Sequence, residues 1–151
     1  MIKPPSVQND YTLIFSGDPA LQLPEDAAER DRVLKLARET GDWTALIREG
    51  ERPTLFQMGH INGMARDFID GERDRKQLSA GEFATLVFRL GLRAVENFGD
   101  VKVKLAAREG FKIAEVDVIN KIRALGDVGD LIVAELGGVV ALRTYQPISP
   151  L

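Results

Sequence analysis

Cysteine is absent from the chain. Disulfides, thiolate metal sites and a cysteine nucleophile are therefore excluded, and the fold must be held by its core alone. Histidine is nearly absent as well, with His60 the only one in 151 residues. A serine triad would have to bring His60 together with one of four serines and a carboxylate. Nothing in the sequence arranges that: Ser79 is engaged by a helix-cap pattern, and Ser6 and Ser149 lie in proline-bearing ends. His60 reads as an ordinary turn residue. A zinc centre would be left with carboxylates for most of its ligands. Neither GxxxxGK[ST] nor GxGxxG occurs, and Gly126-Asp-Val-Gly-Asp130 is too acidic to cradle a phosphate.

An excess of one charge is missing too. The 20 Lys+Arg nearly balance the 23 Asp+Glu, for a net charge of -3. Binding to nucleic acid by charge is thereby disfavoured. No long hydrophobic run exists: the most apolar stretch, residues 128–142, contains Asp130 and Glu135 and falls short of the ~20 residues of a membrane span. It reads as a soluble core helix. The start, Met1-Ile2-Lys3-Pro4-Pro5, lacks the apolar region of a secretory signal, so export by that route is not expected.

What is present is the composition of an ordinary globular domain, 44% hydrophobic and 28% charged. A chain of this size is expected to form one domain with a core that needs no staples. The expected organisation is an N-terminal arm over residues 1–10, a globular domain over 11–142 and an extended tail over 143–151.

Residues 11–15 and 54–58 are rich in strand formers and are expected to pair. A helix is expected from about Pro24 to Glu39, with Val33, Leu36, Ala37 and Thr40 on one side and Gly41 as its stop. A short helix holding Trp43, Leu46 and Ile47 should follow. Residues 64–75 read as a helix facing inward through Met64, Phe68 and Ile69. Ser79-Ala-Gly-Glu82 matches a capping box. The segment it opens, about 82–97, is apolar almost all round and is expected to be the central helix. Residues 100–113 are ambiguous between strand and helix. A helix over 115–125 should bury Val116, Ile119 and Ile122, and a last helix over 128–142 contains Gly137-Gly138. Two interior glycines cost about 1–2 kcal/mol of helix propensity, which close packing of a neighbouring backbone would justify.

The carboxylates Asp67, Asp70 and Asp74 share a helix face that could in principle hold a hard cation, but Arg66, Arg73 and Arg75 among them point to a solvated, salt-bridged surface. Asp127 and Asp130 are explained by capping. Lys102, Lys104, Arg108 and Lys112 form a locally basic segment suited to an anionic partner. With Trp43, Phe56, Arg89 and Arg93 they are the candidate partner contacts. No catalytic, cofactor-binding or metal-binding residue is assigned, and no cofactor is expected.

Residues 41–56, Gly-Asp-Trp-Thr-Ala-Leu-Ile-Arg-Glu-Gly-Glu-Arg-Pro-Thr-Leu-Phe, resemble a stretch of small morphogenesis proteins of tailed bacteriophages. The similarity lies in a short amphipathic helix, a G-x-x-P-T-x-F joint and then a strand, and residues 91–99 have a similar flavour. Such proteins include tail-assembly chaperones and small accessory virion proteins. The resemblance implies a non-enzymatic protein of the virion or of its assembly, acting through protein–protein contacts in the virion or the host cytoplasm. Its expected partners are phage structural proteins or further copies of itself. An inhibitor or regulator of a single protein target is the alternative, and a small carboxylate-dependent enzyme a more distant one. The expected fold is α+β and mainly α: five to six helices around the central helix, a small two-stranded β element and extended termini.

Overall fold

The computed structural model describes residues 10–145. The expected arm, apart from Asp10, and residues 146–151 of the expected tail lie outside them. The α+β, mainly-α class holds, with five α-helices and two small sheets among the described residues.

The chain enters through β1 (Tyr11–Leu13), the first strand of a three-stranded antiparallel sheet. Asp26 then opens α1 (Ala27–Thr40), its side chain accepting from the Glu29 N–H, and Gly41 closes the helix in the left-handed region at φ 75°. Leu34 and Ala37 form the inner face of α1, whereas Leu36, expected inside, is 52% exposed. The expected second helix shrinks to a single 3-10 turn, Thr44–Leu46.

The pairing of the two expected strands is present. β2 (Leu55–Met58) runs antiparallel to β1 with Leu13 opposite Phe56, and Phe56 and Met58 share the buried face. Asn62 caps α2 (Gly63–Lys76), which faces inward through Ala65 and Ile69; Met64 is exposed instead.

The capping box forms as expected. Ser79 accepts from the Glu82 N–H, and Glu82 accepts from the Ser79 N–H, at the start of α3 (Ala80–Gly91). The expected helix over 82–97 is corrected at its second half. The chain leaves the helix at Leu92 and runs on as β3 (Leu92–Glu96), which pairs antiparallel with β2. Two short strands have little stability alone, and a third satisfies the open edge of β2. The small Gly91 permits the turn from helix to strand, since a Cβ there would stand 3.1 Å from Met58 and 3.3 Å from Val140.

The ambiguous 100–113 region is a hairpin. β4 (Leu105–Arg108) pairs with β5 (Phe111–Ala114) across a turn in which Gly110 adopts φ 89°. α4 (Val116–Arg123) buries Val118, Ile119 and Ile122, leaving Val116 outside. α5 (Asp127–Tyr145) is longer than expected and takes the first three residues of the expected tail into the helix.

The core joins both sheets to the helices. Val87, Phe88 and Leu90 of α3 meet Leu136 and Val140 of α5, with Phe56 of the sheet packed edge-on to Phe88 at 6.0 Å between ring centroids. Gly137 explains how closely the two helices approach: a Cβ there would lie 2.3 Å from the Ala84 carbonyl oxygen.

Candidate functional site

α5 carries apolar residues on its outer as well as its inner face, which sets up the site. Its inner face, Ile132, Val133, Leu136 and Val140, is buried against α3 and α4. Its outer face carries Val128, Leu131 and Leu142, and Leu142 is 76% exposed. Among the described residues nothing covers these outer side chains.

The C-terminal half of that outer face forms one wall of a cleft of about 970 Å³, at the upper end of the roughly 300–1,000 Å³ of ligand sites. α1 forms the opposite wall through Lys35, Arg38 and Glu39, and Tyr11 and Leu13 of β1 line it between them. Phe83 of α3 and Tyr145 of α5 close one end. The lining is thus apolar, with Val139 and Leu142 continuing it along α5.

Four cations surround it. The Arg143 guanidinium lies over the Tyr11 ring at 3.9 Å from its centroid, and that of Arg73 over Phe83 at 4.0 Å. Such stacking leaves the positive charge unneutralised while covering the aromatic face. Lys35 is exposed, and Arg38 sits 3.5 Å from Glu135. Among the described residues no carboxylate lies within 4.0 Å of Lys35, Arg73 or Arg143. Glu39 is the one acid in the lining, so the cleft is positive. Burial pushes the Tyr11 phenol up to about 12 against the pull of Arg143 and Arg93. The Tyr145 phenol is also raised, first by burial and then by Asp70, to which its hydroxyl donates at 3.3 Å.

Glu135 links α5 to one wall of the cleft. Its carboxylate accepts from the Ser16 N–H at 2.8 Å and from the Ser16 hydroxyl, and it pairs with Arg38. One side chain of α5 thereby ties down the loop after β1 and one wall of the cleft.

Gly138 lines the cleft and has no packing reason among the described residues. A Cβ added there would meet nothing within 4 Å among the described residues, in contrast to Gly137 one position earlier. The close packing expected of both glycines therefore holds for Gly137 alone.

The candidate contacts taken from the sequence are distributed differently. Trp43 and Phe56 are corrected to core residues: both are buried, and Trp43 Nε1 donates to the Thr12 carbonyl at 3.0 Å. They offer no surface to a partner. Arg89 donates to the Ala114 carbonyl at 2.9 Å, and burial, then the nearby Arg108, lowers its pKa from the ordinary arginine value. Arg93 donates to the carbonyls of Leu90 and Leu92 and packs over Gly59. Both are held by backbone carbonyls around the end of α3. Lys102, Lys104, Arg108 and Lys112 are exposed in and just before the β4–β5 hairpin, away from the cleft lining. His60 is exposed, and its backbone carbonyl accepts from Arg93 at 3.5 Å. Asp70 meets Tyr145, and among the described residues no group of three or more His, Asp or Glu is placed to hold a metal ion.

The sequence reading missed Lys35, Arg73 and Arg143 because they come from three separate helices. The available signal was the outer face of α5, where Leu131, Gly138 and Leu142 recur at steps of seven and four residues with Glu135 between them. No described helix is long and apolar enough to cross a membrane. Comparison with family models, curated proteins and solved structures finds no match for this chain.

Proposed function

We propose that the chain is a non-enzymatic structural or assembly protein of a tailed bacteriophage or prophage, acting through protein–protein contacts. The observation that carries the reading is the apolar wall of α5 beside a cleft flanked by cations, with Leu142 its most exposed apolar side chain. A large cleft that combines an apolar lining with a few convergent charged groups is the default binding-site candidate in a globular domain. The phage context comes from the resemblance of residues 41–56. The joint in that stretch serves the fold: Pro53 is buried, the Thr54 N–H donates to Asp18 at 2.9 Å, and the Thr54 hydroxyl donates to the Asn97 carbonyl at 2.8 Å. That leaves the cleft, rather than the joint, as the contact surface.

Mass spectrometry of purified particles and of their assembly intermediates tests this. The chain is expected in one or both, in a fixed ratio to a structural protein. A chain excluded from both, recovered as a stable monomer bound to one host protein, belongs to the inhibitor class instead.

A further inference from the structure

We propose that the cleft between α1 and α5 receives an acidic amphipathic helix of a partner protein. The inference rests on the protein-binding reading above and names the partner's chemistry.

Three observations select this occupant. First, Lys35, Arg73 and Arg143 stand around an apolar lining with no carboxylate within 4.0 Å among the described residues. A second copy of the same face would bring these cations against their own kind, whereas acidic side chains flanking an apolar stripe would meet them. Second, strand addition has little to build on. β1 is three residues long, and Trp43 Nε1 already bonds the Thr12 carbonyl. Third, a side chain at Gly138 would meet no described residue within 4 Å, so the packing of the described residues does not require a glycine there. It lowers the wall of the cleft beside Val139 and Leu142 and lets a second helix approach α5 closely. The C-terminal part of the outer face of α5, from Gly138 to Leu142, then acts as one half of a helix–helix seam, with Leu142 as its most exposed apolar contact.

The test is fluorescence anisotropy of the full chain with a labelled helical peptide of about 18 residues, roughly 27 Å long. The peptide carries Leu and Phe at i, i+3, i+4 and i+7, with Glu on the flanks. Replacing every Glu by Lys is expected to weaken binding about tenfold or more, and raised salt to weaken the Glu peptide. Gly138→Leu fills open space, so it is expected to keep the fold by circular dichroism and to reduce affinity about tenfold. The pair Arg73→Glu with Arg143→Glu gives an independent route, reversing the preference toward the Lys peptide. Equal binding of both peptides, no loss in Gly138→Leu, a cleft that takes myristate and ignores the Glu peptide, or a dimer that the peptide does not dissociate would each overturn the inference. A chain found in particles yet indifferent to peptide charge keeps the protein-binding reading and loses this inference. A chain absent from particles that binds the Glu peptide loses the phage-assembly reading and keeps this inference.

Discussion

Ser16 and Glu135 are 119 residues apart and share two hydrogen bonds, one from the Ser16 N–H at 2.8 Å and one from its hydroxyl. This link closes the chain on itself, fastening the loop after the first strand to the middle of the last helix. Arg38 joins from α1, so that three segments meet at one partly buried carboxylate. Removing the carboxylate leaves the Ser16 N–H and the Arg38 guanidinium without their acceptor. Glu135→Ala is expected to cost about 1–3 kcal/mol, read as a lower midpoint in urea. Ser16→Ala loses only the hydroxyl bond and should cost less, about 0.5–1.5 kcal/mol.

The adjacent glycines of α5 should respond in opposite senses. Gly137→Ala drives a methyl group to 2.3 Å from the Ala84 carbonyl oxygen, forcing α3 and α5 apart and destabilising the fold. Overpacking of this kind costs about 1–3 kcal/mol. Gly138→Ala meets no atom within 4 Å among the described residues and gains helix propensity, so it should stabilise by up to about 1 kcal/mol. Thermal melts of the two variants side by side provide the check.

Leu90 is 1% exposed at the end of α3, within the core that joins sheet and helices. Leu90→Ala is expected to cost about 2–5 kcal/mol by lost burial and a residual cavity. Chemical denaturation giving a loss below about 1 kcal/mol would show that α3 is peripheral.

Tyr11 makes a prediction at alkaline pH. Burial holds its phenol at about 12, above the ordinary 10, so the folded state binds the proton more tightly than the unfolded chain. The stability it contributes is complete below pH 10 and is lost as pH rises through about 12. Tyr145 acts in the same direction. The chain should therefore weaken across that window, and Tyr11→Phe should weaken less steeply. Phenolate absorbance is the second readout: of the two tyrosines, the one lost in Tyr11→Phe should account for the later-titrating step.

Local signals were legible in the sequence where a single residue or a short spacing decides the structure. The Ser79–Glu82 box, the left-handed Gly41 and the pairing of residues 11–15 with 54–58 are such cases. Residues 92–96 were not legible, because Leu92 and Val95 fit the helical period of the preceding turn as well as a strand. Their state is decided by β2, more than thirty residues away in sequence, whose edge they complete. The inward faces of α1, α2 and α4 hold at Ala37, Ile69, Ile119 and Ile122, but each was drawn too wide and took in an exposed residue, Leu36, Met64 or Val116. Periodicity gives the repeat of a helix face more firmly than its width. Trp43 and Phe56, candidate contacts in the sequence, are buried in the core. The cleft is a product of tertiary arrangement, assembled from α1, α2, α3, α5 and β1, and no single stretch of sequence contains it.

The most direct test of the account places a photo-crosslinking side chain at position 142, on the open wall of α5, and irradiates cells that are producing particles. Position 131, on the same outer stripe but outside the cleft lining, is the control. The account predicts one dominant adduct from position 142, to an acidic helical segment of a particle protein, weakened by Gly138→Leu. A folded chain that crosslinks to no particle protein from position 142, or equally from both positions regardless of Gly138→Leu, would contradict it.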